Sequence, residues 1–150
     1  MRVIVQRSKN ASCTIDNEVV SKINHGYVLL VGFTHSDDLE ICKKMAKKIV
    51  NLRIFEDENG KMNKAIKDIG GQILSISQFT LYANPYGGNR PGFTDAMEFN
   101  KASQLYIDFC NIFKDEYGIE TGVGKFGADM QIALVNDGPV TISLDSVNFK

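Results

Sequence analysis

Apolar residues alternate with Arg, Gln, Ser and Lys through MRVIVQRSKNASCTID, and Val, Ile and Thr stay frequent up to Phe33. A two-residue period of this kind predicts strands with one buried face. Asp16-Asn17 and Asn24-His25-Gly26 interrupt the run, so residues 2–33 read as a meander of successive short strands. The spacing then changes. Leu39, Cys42, Met45, Ala46 and Ile49 recur at helical intervals, which predicts a helix over 37–50. Ser36-Asp37-Asp38 before it cap its start and complement the helix dipole.

Asp57-Glu58-Asn59-Gly60 is a turn, and Gly70-Gly71 leads into an alternating strand over 72–81. Residues 84–92, NPYGGNRPG, are too rich in Gly and Pro for regular structure and form a loop. A second helix is predicted from near Thr94-Asp95, with Glu98 completing a capping box. Its apolar face carries Ala102, Leu105, Tyr106, Phe109, Ile112 and Phe113, and Gly118 sits where a C-terminal cap belongs. Residues 119–149 give two or three strands, broken by Gly122, Gly124 and Gly127 and by Asn136-Asp137-Gly138-Pro139. The glycines permit a bulge or a close approach. With no repeat or linker, residues 1–150 read as one α+β domain: mostly antiparallel sheet in a barrel-like core, flanked by two main helices.

At 150 residues and 43% hydrophobic, the chain has the size of one ordinary domain. A domain of this length buries about 68–70% of the surface its unfolded form exposes, so no metal or disulfide staple is needed. Cys13, Cys42 and Cys110 are odd in number and widely spaced, which argues against a disulfide framework and a zinc site. The formal net charge of −1 excludes coating of nucleic acid by bulk electrostatics, while local contacts stay open. No signal peptide or membrane span is evident, and the cytoplasm is the expected location.

Conventional catalytic machinery is sparse. The two histidines, His25 and His35, lie beside turns without a partner in sequence. The cysteines fall on apolar helical faces or in a strand, where a small buried hydrophobe is the usual role. Gly122-Val-Gly124-Lys-Phe-Gly127 lacks the spacing of a dinucleotide or phosphate loop. Lys43, Lys44, Lys47 and Lys48 lie opposite the apolar stripe of the first helix, as a solvated face or a phosphate-contacting patch.

Four segments stand out: Ser77-Gln78-Phe79-Thr80-Leu81-Tyr82, Gly88-Asn89-Arg90-Pro91, Phe126-Gly127-Ala128-Asp129-Met130 and Asn136-Asp137-Gly138-Pro139-Val140-Thr141. Together, in this order and with Val5-Gln6-Arg7 ahead of them, they resemble the signature of the D-aminoacyl-tRNA deacylases over the whole chain. Gly92 stands where many members carry Ser.

The resemblance implies hydrolysis of the ester between a D-amino acid and the terminal adenosine of tRNA. No cofactor is expected, and no ligand cluster with suitable spacing points to a metal. Such an ester is already activated, so positioning and oxyanion stabilisation matter more than a strong nucleophile. Amides of Phe79 and Thr80 freed at the strand end would face the ester carbonyl, with Gln78 beside the ester or ribose and Ser77 in a supporting place. The resemblance favours assistance by the 2′-hydroxyl of the terminal adenosine over attack by the Thr80 hydroxyl, which has no evident base. It also implies a cis Gly138-Pro139 bond, against about 5–6% for X-Pro bonds generally. In the family this segment enters the active site of a partner subunit in a homodimer and excludes L side chains, while glycine escapes exclusion. Asn136 belongs to the same segment. Arg7 resembles the residue that braces it across the dimer interface; otherwise it is an exposed strand arginine. Phe126 and Met130 either line the adenosine pocket or belong to the core, and Ala102 borders the same pocket. Two other readings remain: a Thr80-dependent hydrolase of small esters or amides, and a non-enzymatic module binding single-stranded RNA through Phe79, Tyr82, Phe126 and neighbouring lysines.

Overall fold

In the computed structural model, which describes residues 1–149, the N-terminal alternation forms two long strands rather than several short ones. β1 (Arg2–Ile15) and β2 (Glu18–Gly32) pair antiparallel around Asp16-Asn17, whose φ angles are 50° and 64°. Two consecutive left-handed residues match the twist of the strands they join. Asn24-His25-Gly26 is not a break, because these residues stay within β2. Gly26 instead admits a neighbouring strand: a Cβ there would lie 1.8 Å from the Gln72 carbonyl oxygen.

That neighbour is β5 (Gln72–Ser77), parallel to β2 and also to β6 (Thr121–Val123), while β7 (Gln131–Asp145) runs antiparallel to β1. The resulting five-stranded mixed sheet has the order β6-β5-β2-β1-β7. Among the described residues no ladder joins β6 to β7, so the α+β class holds but the sheet is open rather than a closed barrel. β3 (Phe55–Glu56) and β4 (Met62–Lys64) form a separate small hairpin. Asn136-Asp137-Gly138-Pro139 does not separate two strands. β1 pairs with β7 on both sides of it, at Ser8↔Asn136 and Gln6↔Thr141, so the extra residues bulge out of one continuous strand.

α1 (Leu39–Asn51) starts later than predicted, with Asp38 as the N-cap accepting from the Ile41 amide at 3.0 Å. Asp37 is engaged elsewhere: its carboxylate takes the Met1 ammonium at 2.7 Å, with both groups nearly fully buried. The four lysines of α1 face solvent, and Cys42, Met45, Ala46 and Ile49 face the core.

α2 (Phe99–Asp115) also starts later than the predicted Thr94-Asp95. Glu98 is its N-cap, accepting from the Asn100 and Lys101 amides. Residues 93–97 are held by the end of β2 instead: Met97 donates to the Phe33 carbonyl, the Thr34 hydroxyl to Asp95 and the His35 ring to Thr94. Tertiary bonds outcompete the first helical turn there. Leu105, Tyr106, Phe109, Ile112 and Phe113 are buried between α1 and the sheet, each worth roughly 1.5–3 kcal/mol of burial. No helix among the described residues is long and apolar enough to cross a membrane.

The opposite face of the sheet carries a smaller cluster of Ala11, Cys13, Ile23, Val28, Leu74 and Ile76. Ile15, Leu30, Met130, Ile132 and Leu134 cover it only partly.

Candidate active site

β5 ends at Ser77 rather than at residue 81, because the chain turns into a short 3-10 helix over Phe79–Tyr82. The Gln78 amide is still committed, donating to the Val31 carbonyl at 2.7 Å, so the freed amides begin one residue later. Those of Phe79 and Thr80 open the 3-10 turn, where no intrahelical acceptor exists. The Gln78 side-chain amide donates to the Thr80 hydroxyl, tying the pair into one unit.

Beside this turn lies a cavity of about 560 Å³, within the range of small-molecule sites. Ser77, Gln78, Phe79, Ala102, Phe126 and Met130, scattered over the chain, all line it. Phe126 and Met130 are half-buried there rather than lost in the core. Phe79 is 55% exposed and packs on Phe93 at 5.0 Å, and Phe126 meets the Phe99 ring edge-on at 5.1 Å. Gly127 lets the wall close, since a Cβ there would lie 2.7 Å from the Phe99 ring. Phe93, Met97 and Phe99 are wall residues that the sequence pattern missed. Their signal was a cluster of Phe around the second helix start, hidden by placing that start too early. Thr80 itself is exposed and lies outside the wall.

Among the described residues, no carboxylate, imidazole, amine, guanidinium, thiol or phenol lines the cavity. The cysteines are all buried, and burial pushes the Cys110 thiol up to about 11 and Cys42 up to about 12. They are structural. Thr80 has Gln78 as its side-chain partner, which is not a base.

Asn136, Gly138 and Pro139 lie outside this cavity. The Gly138–Pro139 bond is cis, and both residues are exposed. The bulge is held from beneath. Arg7, only 5% exposed and so not a surface strand arginine, donates to the Asp137 carbonyl at 2.8 Å and to the Ile54 carbonyl at 2.7 Å. This bracing runs within one chain. The Asn136 side chain accepts from the Val140 amide and donates to the Thr141 hydroxyl, each at 2.8 Å. At Gly138, φ is +138° and a Cβ would lie 2.8 Å from Val140 Cγ2 and 3.0 Å from Arg7 Nη2. Only glycine fits that backbone without displacement.

The family model for D-Tyr-tRNA(Tyr) deacylase matches residues 4–145. The chain belongs to that family. Relatives named D-aminoacyl-tRNA deacylase include one from Lactobacillus gasseri, 54% identical over 97% of this chain and 99% of its own length. Another, from Bacillus cytotoxicus, is 53% identical over the same shares. A solved structure titled c-Myc DNA Unwinding Element Binding Protein is 41% identical, covers 97% of this chain and 98% of its own, and superposes with a TM-score of 0.91. A probable eukaryotic D-amino acid tRNA deacylase shares the fold, with a TM-score of 0.80 at 16% identity. Deacylase-family membership makes the chain an ester hydrolase and sets aside the non-enzymatic RNA-binding module.

Proposed function

We propose that the chain releases D-amino acids from tRNA by hydrolysing the ester to the terminal adenosine. The observation that carries this reading is a cavity of small-molecule size walled by Phe79, Phe99, Phe126 and Met130, into which no general acid or base among the described residues is set. A base stacks on aromatic walls whatever its identity, so the cavity suits the adenosine that ends every tRNA. With no titratable wall residue, the reacting groups come from the substrate: the 2′-hydroxyl assists, and the Phe79 and Thr80 amides stabilise the oxyanion. Attack by Thr80 is disfavoured because its hydroxyl meets an amide rather than a base.

Chirality rests on Gly138-Pro139. A backbone segment pinned by Arg7 and Asn136 cannot swing aside, so an L side chain pointing at it is excluded while a D side chain points away. Glycine, with no side chain, is admitted, and glycyl-tRNA is a substrate. Since the segment lies outside its own chain's cavity, it acts in the cavity of a second copy, and the working form is a homodimer. The incompletely covered face, with Leu30, Ile132 and Leu134 only half-buried, supports a second copy there. The site of action is the cytoplasm, where aminoacyl-tRNA is found.

The test is amino acid release from matched D-tyrosyl-tRNA and L-tyrosyl-tRNA by the wild type and Pro139→Ala. Rapid loss of the D-ester alone by wild type, with discrimination or activity lost in the variant, is expected. Neither ester cleaved faster than in buffer overturns the assignment. Cleavage of D-amino acid esters that lack adenosine would instead favour a Thr80-dependent small-ester hydrolase.

A further inference from the structure

Behind the Phe126 wall runs a second groove of about 390 Å³, between α2 and residues 123–126. Phe126 belongs to both cavities, and its ring lies between Phe99 on the first side and Tyr106, 5.9 Å away, on the second. The second groove differs in character. Lys114 from the last turn of α2 and Lys125 from the opposite bank line it, both exposed, and among the described residues no carboxylate does. Neither lysine is in an ion pair among the described residues. Asn111 and Ser103 add neutral hydrogen-bonding groups, and Ile107, 49% exposed, gives an apolar surface between them.

On a chain of net charge −1, a groove with cations on both banks and no acidic residue is a local exception. It is separated by one aromatic ring from the cavity assigned to the terminal adenosine. The chemistry that matches is a phosphodiester with an attached base: ammonium groups for the phosphates, an apolar step for the base and amide and hydroxyl groups for the sugar. We propose that this groove seats the unpaired nucleotides that precede the terminal adenosine, with Lys114 and Lys125 on their phosphates. The inference rests on the adenosine reading of the first cavity. It assigns the lysines a role in holding the polynucleotide and none in the chemical step.

The experiment compares two substrates, D-tyrosyl-tRNA and the D-tyrosyl ester of adenosine, on wild type and on Lys114→Gln/Lys125→Gln. In parallel, binding of a fluorescent single-stranded CCA oligonucleotide is titrated between low and moderate salt. The expected result is a rise of about tenfold in KM for the tRNA substrate at low salt, with kcat/KM for the adenosine ester unchanged. The log–log salt slope of oligonucleotide binding falls by about 1.4, since two single-strand phosphate contacts disappear. Unchanged tRNA KM and salt slope overturn the proposal, as does equal damage to both substrates, which would mean that the lysines act through the Phe126 wall. If the wild type cleaves neither substrate, the deacylase reading fails. The oligonucleotide titration still decides whether the two lysines hold a single strand.

Discussion

Replacing Arg7 by methionine separates the brace from the wall it supports. Methionine keeps much of the side-chain bulk, so little cavity opens and the change is mainly electrostatic. Arg7 is 5% exposed and makes charge-assisted bonds to the Asp137 and Ile54 carbonyls at 2.8 and 2.7 Å. Bonds to charged groups are worth about 1.5–3 kcal/mol each, or roughly 3–6 kcal/mol for the pair. Against this, removing a buried guanidinium relieves a desolvation cost of several kcal/mol. The Asp137 carboxylate adds little, being 3.7 Å from Arg7 Nε and partly solvated, with Lys9 3.8 Å away as a second partner. A net loss of about 2–3 kcal/mol follows, which for a domain of this size lowers Tm by about 5–10 °C. Thermal unfolding followed by circular dichroism measures it. In the deacylation assay the same variant loses discrimination between D- and L-tyrosyl-tRNA, because the Asp137–Gly138 backbone is no longer pinned. Asp137→Asn keeps the backbone acceptor and is expected to cost below about 1 kcal/mol. An Arg7→Met protein with Tm within 1–2 °C of wild type and an intact D/L ratio, each limit set against the roughly 5–10 °C expected, refutes the reasoning.

Three further outcomes are expected. Gly138→Ala forces a Cβ into Val140 and Arg7 at a φ of +138°, costing about 1–3 kcal/mol of stability and impairing turnover of D-tyrosyl-tRNA. A variant as stable and active as wild type would show that the bulge is pliable. Thr80→Val keeps deacylation within about tenfold of wild type, since its backbone amide remains; activity reduced to the buffer rate would make the hydroxyl the nucleophile. Native protein at pH 8 is alkylated slowly by iodoacetamide, because burial raises all three thiols, Cys110 to about 11 and Cys42 to about 12, and prompt labelling of any cysteine before unfolding contradicts this. The sign of the linked stability follows: the unfolded chain releases these protons first, so stability falls as pH rises from about 8.5 towards the folded values.

The alternation of residues 2–33, the helical spacing of Leu39 to Ile49 and the stripe from Ala102 to Phe113 determined the strands, both helices and the core, because each period requires one buried face. Periodicity did not point to the site: Ser77, Gln78, Phe79, Ala102, Phe126 and Met130 were singled out by the resemblance of their motifs to the deacylase signature, and they do share one cavity. Boundaries were decided elsewhere. α2 begins at Phe99 because residues 93–97 bond to the end of β2, and β5 stops at Ser77 because the chain turns into a 3-10 helix. The continuity of β7 past Pro139 depends on β1 pairing on both sides of the bulge. The burial of Arg7 depends on Ile54 and Asp137, distant in sequence, converging on its guanidinium. These features are energies of long-range contact, to which a pattern of neighbours along the chain is blind.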